Sequence, residues 1–183
     1  MKRVALGVAS VAVVAALAAL HALSELPAGG ATLGPSDRAP ELAGITRWIN
    51  SVPLTIAGLA GKVVLVEFWT YGCSDCLNTV PQVERLFRSY RDRGLVVIAV
   101  HTPEFAFERD AAGLEQAVAR LGIDYPVAQD NDWETWRGYR NQYWPARYLV
   151  DRRGTIVLAH AGGGGDDEIE RTVRALLDAA PGG

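Results

Sequence analysis

Apolar residues fall along this chain in three textures. Residues 4–23 contain no Asp, Glu, Lys or Arg, and their polar members are Ser10 and His21. Further on, residues 62–69 (KVVLVEFW) and 95–100 (LVVIAV) are short runs apolar on both faces, the pattern of central buried strands. Elsewhere the apolar residues recur at helical spacing. Within residues 81–93, Val83, Leu86, Phe87 and Tyr90 make one helical face, and Gly94 ends it. Residues 103–121 read as a loop and a helix carrying Leu114, Val118 and Leu121, closed by Gly122. Residues 54–56 and 125–128 fit short strands, and 131–143 an aromatic-rich helix. Strands at 146–150 and 155–160 flank Asp151-Arg152-Arg153-Gly154, a hairpin turn by composition. A last helix over 166–180 opens with Asp166, Asp167 and Glu168, where acids suit the macrodipole. From residue 62 the order is β-α-β-α-β-α-β-β-α. It predicts an α/β domain with a mixed central sheet, a parallel pair plus a terminal antiparallel hairpin, and helices on both faces.

The N-terminus has a different logic. Met1, Lys2 and Arg3 precede the apolar run, and a cationic start before such a stretch is an export signal. At about 1.5 Å per residue the run reaches roughly the 30 Å of a bilayer core. A signal anchor is therefore expected over residues 1–23, with a cleaved signal peptide and secretion as the alternative. The positive-inside rule leaves Lys2 and Arg3 in the cytoplasm and everything after Leu23 on the periplasmic, extracytoplasmic side of the inner membrane. Residues 24–38, rich in Pro, Gly, Ser and Ala, read as a tether, and residues 39–183 as the folded domain.

Composition narrows the function classes. A chain of 183 residues with 49% hydrophobic and 21% charged residues is too apolar to be mainly disordered. Two cysteines cannot build a multi-bridge scaffold. Setting aside Lys2 and Arg3 leaves 16 basic against 21 acidic residues, a formal charge of −5, which argues against nucleic acid as a partner.

Those two cysteines, Cys73 and Cys76, stand as C-x-x-C directly after a predicted buried strand and before a predicted helix. A helix N-terminus stabilises a thiolate at Cys73. The thiolate is the nucleophile of thiol–disulfide exchange, and a second thiol one turn on resolves the mixed disulfide. Zinc would need about four ligands, and the exported part offers only His101 and His160 besides the two thiols. A purely structural bridge over two residues constrains little of the unfolded chain. Copper carriage lacks thioethers, since Met1 is the only methionine. No metal and no bound cofactor are expected.

The segment from Val64 through Glu67-Phe68-Trp69-Thr70-Tyr71-Gly72-Cys73-Ser74-Asp75-Cys76 resembles the active-site segment of thioredoxin-fold proteins. It looks most like that of the TlpA-like reductases and the thioredoxin-like domain of DipZ-type proteins. The likeness continues through residues 97–105 and 125–132 to Tyr143-Trp144-Pro145-Ala146, covering about residues 39–180. The resemblance implies a thioredoxin fold and a thiol–disulfide oxidoreductase. Cys73 matches the attacking cysteine, Cys76 the resolving one, and Pro145 the cis-proline facing them. Glu67 matches the buried acid under the site; an acid in an apolar strand has a raised pKa and can exchange a proton with Cys76. Trp69, Tyr71 and Trp144 are expected to line the substrate surface, whereas Trp133, Trp136 and Tyr139 read as core. As partners the family suggests disulfides of exported proteins, cytochrome c maturation clients among them, and a membrane thiol transporter of the DsbD or CcdA kind as electron donor.

Two departures bear on this reading. Gly72 stands where Trp or Thr often precedes the first cysteine, which leaves less bulk there. Asp75 brings a negative charge close to Cys73, which disfavours the thiolate and hence the reduced form, and so favours a reductant. Two other functions were weighed. Thr70, three residues before Cys73, echoes the T-x-x-C of peroxiredoxins, although Val66 stands where their proline would and Cys76 is very close. A redox-sensing or binding module using the same groove is the non-enzymatic alternative.

Overall fold

The computed structural model describes residues 32–179. Residues 1–23, where the anchor is expected, lie outside the described residues. Among the described residues no helix is long and apolar enough to cross a membrane.

Six strands form one mixed sheet: β1 (Arg47–Ile49), β2 (Val63–Trp69), β3 (Leu95–His101), β4 (Val127–Gln129), β5 (Ala146–Val150) and β6 (Ile156–Ala161), in the spatial order β1-β4-β3-β2-β5-β6. The pairs β2–β3 and β3–β4 are parallel, while β2–β5, β5–β6 and β1–β4 are antiparallel. All seven residues of β2 are buried, as its two-sided apolar pattern requires. Alternation along the strands then builds two cores. Val63, Leu65 and Trp69 of β2 face α1 (Ser74–Tyr90), α2 (Ala111–Leu121) and α4 (Asp166–Asp178). Val64, Val66 and Phe68 face the short α3 (Glu134–Gly138) and the chain before β2. Helices thus cover both faces, and the thioredoxin-like α/β architecture is present.

Three local expectations are corrected. Helix α1 is not among them: it begins at Ser74 with Cys73 as its N-cap, as expected, and runs on through Pro81 into the face read from residues 81–93. A proline there removes one backbone hydrogen bond at a cost of about 3 kcal/mol. That cost is overridden by the cap at Cys73 and by a buried stripe through Cys76, Thr79, Val80, Val83 and Leu86. Residues 54–56 are not a strand: the Glu41 carboxylate accepts the N–H groups of Ile56 and Ala57, both at 2.8 Å, and starts a 3-10 turn. The outer strand is instead β1. Helix α3 is shorter than 131–143, because Asp130 accepts the N–H groups of Thr135 and Trp136 and Trp133 takes a left-handed φ of 61°. Residues 32–38, expected as the end of the tether, pack against the domain. Leu33 is buried, and the N–H of Ser36 donates to Ile156 O while the N–H of Ile156 donates to Asp37 O, adding a few residues along β6.

Candidate active site

The site forms where β2 ends. Thr70, Tyr71 and Gly72 carry the chain from the sheet to Cys73, the N-cap of α1, whose sulfur accepts the N–H of Cys76 at 3.2 Å. An extended cap residue leaves the first N–H groups of the helix free, and the Cys73 sulfur takes up one of them. Cys73 is half-buried, whereas Cys76 is fully buried. Burial, and then the hydrogen bond with Cys73, push the Cys76 thiol far above its ordinary value. This asymmetry distinguishes the two sulfurs: Cys73 is reachable from outside, and Cys76 keeps its proton behind it.

Pro145 closes the other side. The Trp144–Pro145 bond is cis, and the Trp144 carbonyl lies 3.9 Å from Cys73 Sγ. The Trp144 indole N–H donates to Thr102 O at 3.0 Å, and its ring packs on Trp136 with centroids 4.1 Å apart. Trp144 therefore presents backbone, more than ring, to the sulfur. Tyr71 is half-buried: its hydroxyl donates to Phe107 O at 3.0 Å and its ring stacks on His101. Trp69 is a correction. It is 1% exposed and belongs to the core under α1, because odd-numbered positions of β2 face that helix layer, so it does not line the substrate surface. Trp136 and Tyr139 are core, as expected, and Trp133 packs beside them.

Glu67 sits beneath the cysteines at 1% exposure. Burial raises its pKa from 4.5 to about 7, against the lowering effects of the Thr79 hydrogen bond and Arg147. The Thr79 hydroxyl is 2.9 Å from Glu67 Oε1 and 2.8 Å from the Cys76 carbonyl. A hydroxyl has one hydrogen. With Glu67 protonated, the carboxyl can donate to Thr79 and Thr79 to the carbonyl. With Glu67 ionised, Thr79 can turn its hydrogen to the carboxylate. The proton on Glu67 is thus tied to the first turn of α1.

Three functional side chains were not singled out from the sequence. Glu108 is fully buried; its Oε1 accepts the N–H of Gly72 at 2.9 Å, and its Oε2 accepts those of Glu104 at 2.7 Å and Phe105 at 2.9 Å. It ties the loop after β3 to the residue preceding the nucleophile. Gly72 is required there for a closer reason than lack of bulk: a Cβ would collide with Glu108 Oε1 and meet Phe107 Cζ at 3.5 Å. His101, considered above only as a metal ligand, is fully buried, with Nε2 at 3.2 Å from Thr70 Oγ1, and burial lowers its pKa to about 4, so it is neutral near pH 7. Arg147, 1% exposed in β5, ion-pairs with Asp166 at 2.7 Å. No periodic signal marks Glu108. Arg147, by contrast, interrupts an otherwise apolar strand as Glu67 does, and that signal was available.

Residues 35–159 match the AhpC/TSA family. The chain is 46% identical to protein DipZ of Mycobacterium tuberculosis over 164 residues, 87% of this chain but only 24% of DipZ, so it spans about a quarter of that relative's length. It is 31% identical to the thiol-disulfide oxidoreductase YkuV of Bacillus subtilis, covering 75% of this chain and 93% of YkuV. The crystal structure of a thiol-disulfide isomerase from Corynebacterium glutamicum superposes with a TM-score of 0.69 at 29% identity, over 78% of this chain and 98% of that one.

Proposed function

We propose a reducing role for this protein: the chain belongs to the AhpC/TSA family and is a thiol–disulfide oxidoreductase, and its site suits the passage of electrons to disulfides of exported proteins. The observation that carries the reading is the placement of Cys73, capped by the Cys76 N–H on one side and faced by the Trp144 carbonyl on the other, with Cys76 buried behind it.

The Cys73 thiolate attacks a client disulfide, forms a mixed disulfide and expels a client thiolate, which takes a proton from water. Glu67, as carboxylate, takes the proton of Cys76. The Cys76 thiolate then attacks the Cys73 sulfur, closes the Cys73–Cys76 disulfide and releases the second client thiolate. Two electrons pass to the client, and a reductant must return two to the protein. A membrane thiol transporter of the DsbD or CcdA kind fits that need for a domain held outside the cytoplasm by residues 4–23, and cytochrome c maturation supplies clients of the right chemistry.

The peroxidase reading is weaker. The Thr70 hydroxyl is fully buried and engaged with His101 Nε2, so it does not face a peroxide at Cys73. Reduced protein should turn over the disulfides of insulin, and Cys73→Ser should abolish this. Titration against glutathione should give a potential nearer the about −270 mV of thioredoxin than the about −120 mV of strong oxidases. A value at the oxidising end, or consumption of peroxide faster than of insulin disulfides, overturns the proposal.

A further inference from the structure

A line of polar side chains crosses the sheet under the active site. Glu67 on β2 stands directly opposite Arg147 on β5, and Arg147 stands opposite His160 on β6. Cross-strand partners share a face of the sheet, so all three point into the layer occupied by α1 and α4. Glu67 and Arg147 are each 1% exposed. The guanidinium is fixed from above: one terminal nitrogen pairs with Asp166 at the start of α4, at 2.7 Å, and the other donates to the Gly164 carbonyl. Its Nε is buried without a partner. A buried cation with an idle donor is costly if its only purpose is stability. A cavity of about 20 Å³ lined by Arg147 and Asp166, between α1 and α4, has room for a single water at the guanidinium.

We propose that Arg147 is a positioning residue of the exchange reaction, whose charge, fixed opposite Glu67 by Asp166 and the Gly164 carbonyl, keeps the Glu67 carboxylate available to take the proton of Cys76. The proposal rests on the exchange reading of the site. The groups facing Glu67 bear it out. From α1 come Thr79 and the neutral Cys76 thiol, and from α4 the Asp166 carboxylate. Its β3 partner is Ala99, which carries no charge, and Tyr125 beside β4 is buried and neutral. Among the described residues Arg147 is thus the one cation acting on Glu67, and it opposes both burial and Asp166. Removing it leaves Glu67 protonated to higher pH, while removing the Asp166 charge does the reverse. A merely structural role would not produce displacements of opposite sign.

The experiment uses the reduced protein and an aromatic disulfide that releases a coloured thiol. The first thiol released reports attack by Cys73, and the second reports resolution by Cys76. The second phase is followed against pH. In the wild type its midpoint should fall near that of Glu67 and should vanish in Glu67→Gln. Arg147→Met should displace the midpoint upward by about 1 pH unit and slow the second phase at pH 7 about fivefold. Arg147→Lys should restore it to near the wild-type position, and Asp166→Asn should displace it downward. Should Arg147→Met fail to fold, Arg147→Gln, whose amide can still reach Asp166 and the Gly164 carbonyl, takes its place with the same expected upward displacement. Arg147→Met and Asp166→Asn displacing the midpoint in the same direction, or neither moving it, overturns the inference while the exchange reading stands. Absence of the first phase overturns the exchange reading itself.

Discussion

Replacing Glu67 by Gln tests the physics of the site without any client. In the folded chain burial lifts the carboxyl pKa from 4.5 to about 7. At 1.36 kcal/mol per pKa unit this corresponds to about 3 kcal/mol of stability that depends on pH. The sign follows from proton binding. A folded state whose acid titrates higher holds more protons than the unfolded chain between the two values. The contribution is therefore complete below pH 4.5 and lost as pH rises through about 7. Glutamine does not titrate and has no such slope. Urea unfolding of the reduced wild type and of Glu67→Gln, each at pH 4 and pH 8, should give a gap that moves in favour of the variant by about 3 kcal/mol on going to the higher pH. Any fixed cost of burying an amide cancels in that comparison. Parallel stability profiles would mean that Glu67 titrates in the folded state as it does in water, and the pH dependence expected of resolution by Cys76 would lose its source.

Further outcomes follow from the same contacts. Thr79→Val removes the hydrogen bond that lowers the Glu67 pKa, so the pH midpoint of resolution should move upward, opposite to the effect of Asp166→Asn. Glu108→Gln leaves an acceptor for Gly72 but sets an amide donor against the N–H groups of Glu104 and Phe105; it should cost about 2–4 kcal/mol in urea unfolding and slow insulin reduction. Gly72→Ala, whose Cβ would collide with Glu108, should slow attack by Cys73 while a mild surface change at Asp75 does not. Trp69→Ala should cost about 3–5 kcal/mol of stability through the cavity it opens in the core, yet leave the client preference of the remaining folded protein unchanged.

Much of the fold was legible because β2 and β3 carry an unambiguous signature. Both are runs apolar on the two faces, rich in Val, Leu and Ile, and the structure buries all seven positions of β2 and six of the seven of β3. The cysteines were legible because their spacing and their place between strand and helix state the chemistry. Boundaries were harder. The helical periodicity is clear only after Pro81, and the packing of Cys76 and Thr79 on the sheet shows the turns that precede it. Residues 54–56 look like a strand until Glu41, fifteen residues earlier in the chain, takes up the N–H of Ile56. Trp69 could not be placed by composition, since a tryptophan at a strand end serves core and surface equally well and only the face of the sheet decides. Glu108 is the deepest omission. Its role depends on a loop returning 36 residues later to meet Gly72, a contact that no local pattern encodes.

The most direct test is to hold the reaction halfway. Cys76→Ser protein, reduced and mixed with a disulfide-bonded client, should accumulate a covalent adduct that mass spectrometry of the digest places on Cys73 and that a reductant releases, while the wild type passes through it to the Cys73–Cys76 disulfide. Wild-type and variant proteins that both fail to form an adduct, or an adduct that survives unresolved in the wild type, would contradict the assignment of Cys73 as the sulfur that trades its bond and Cys76 as the one that takes it back.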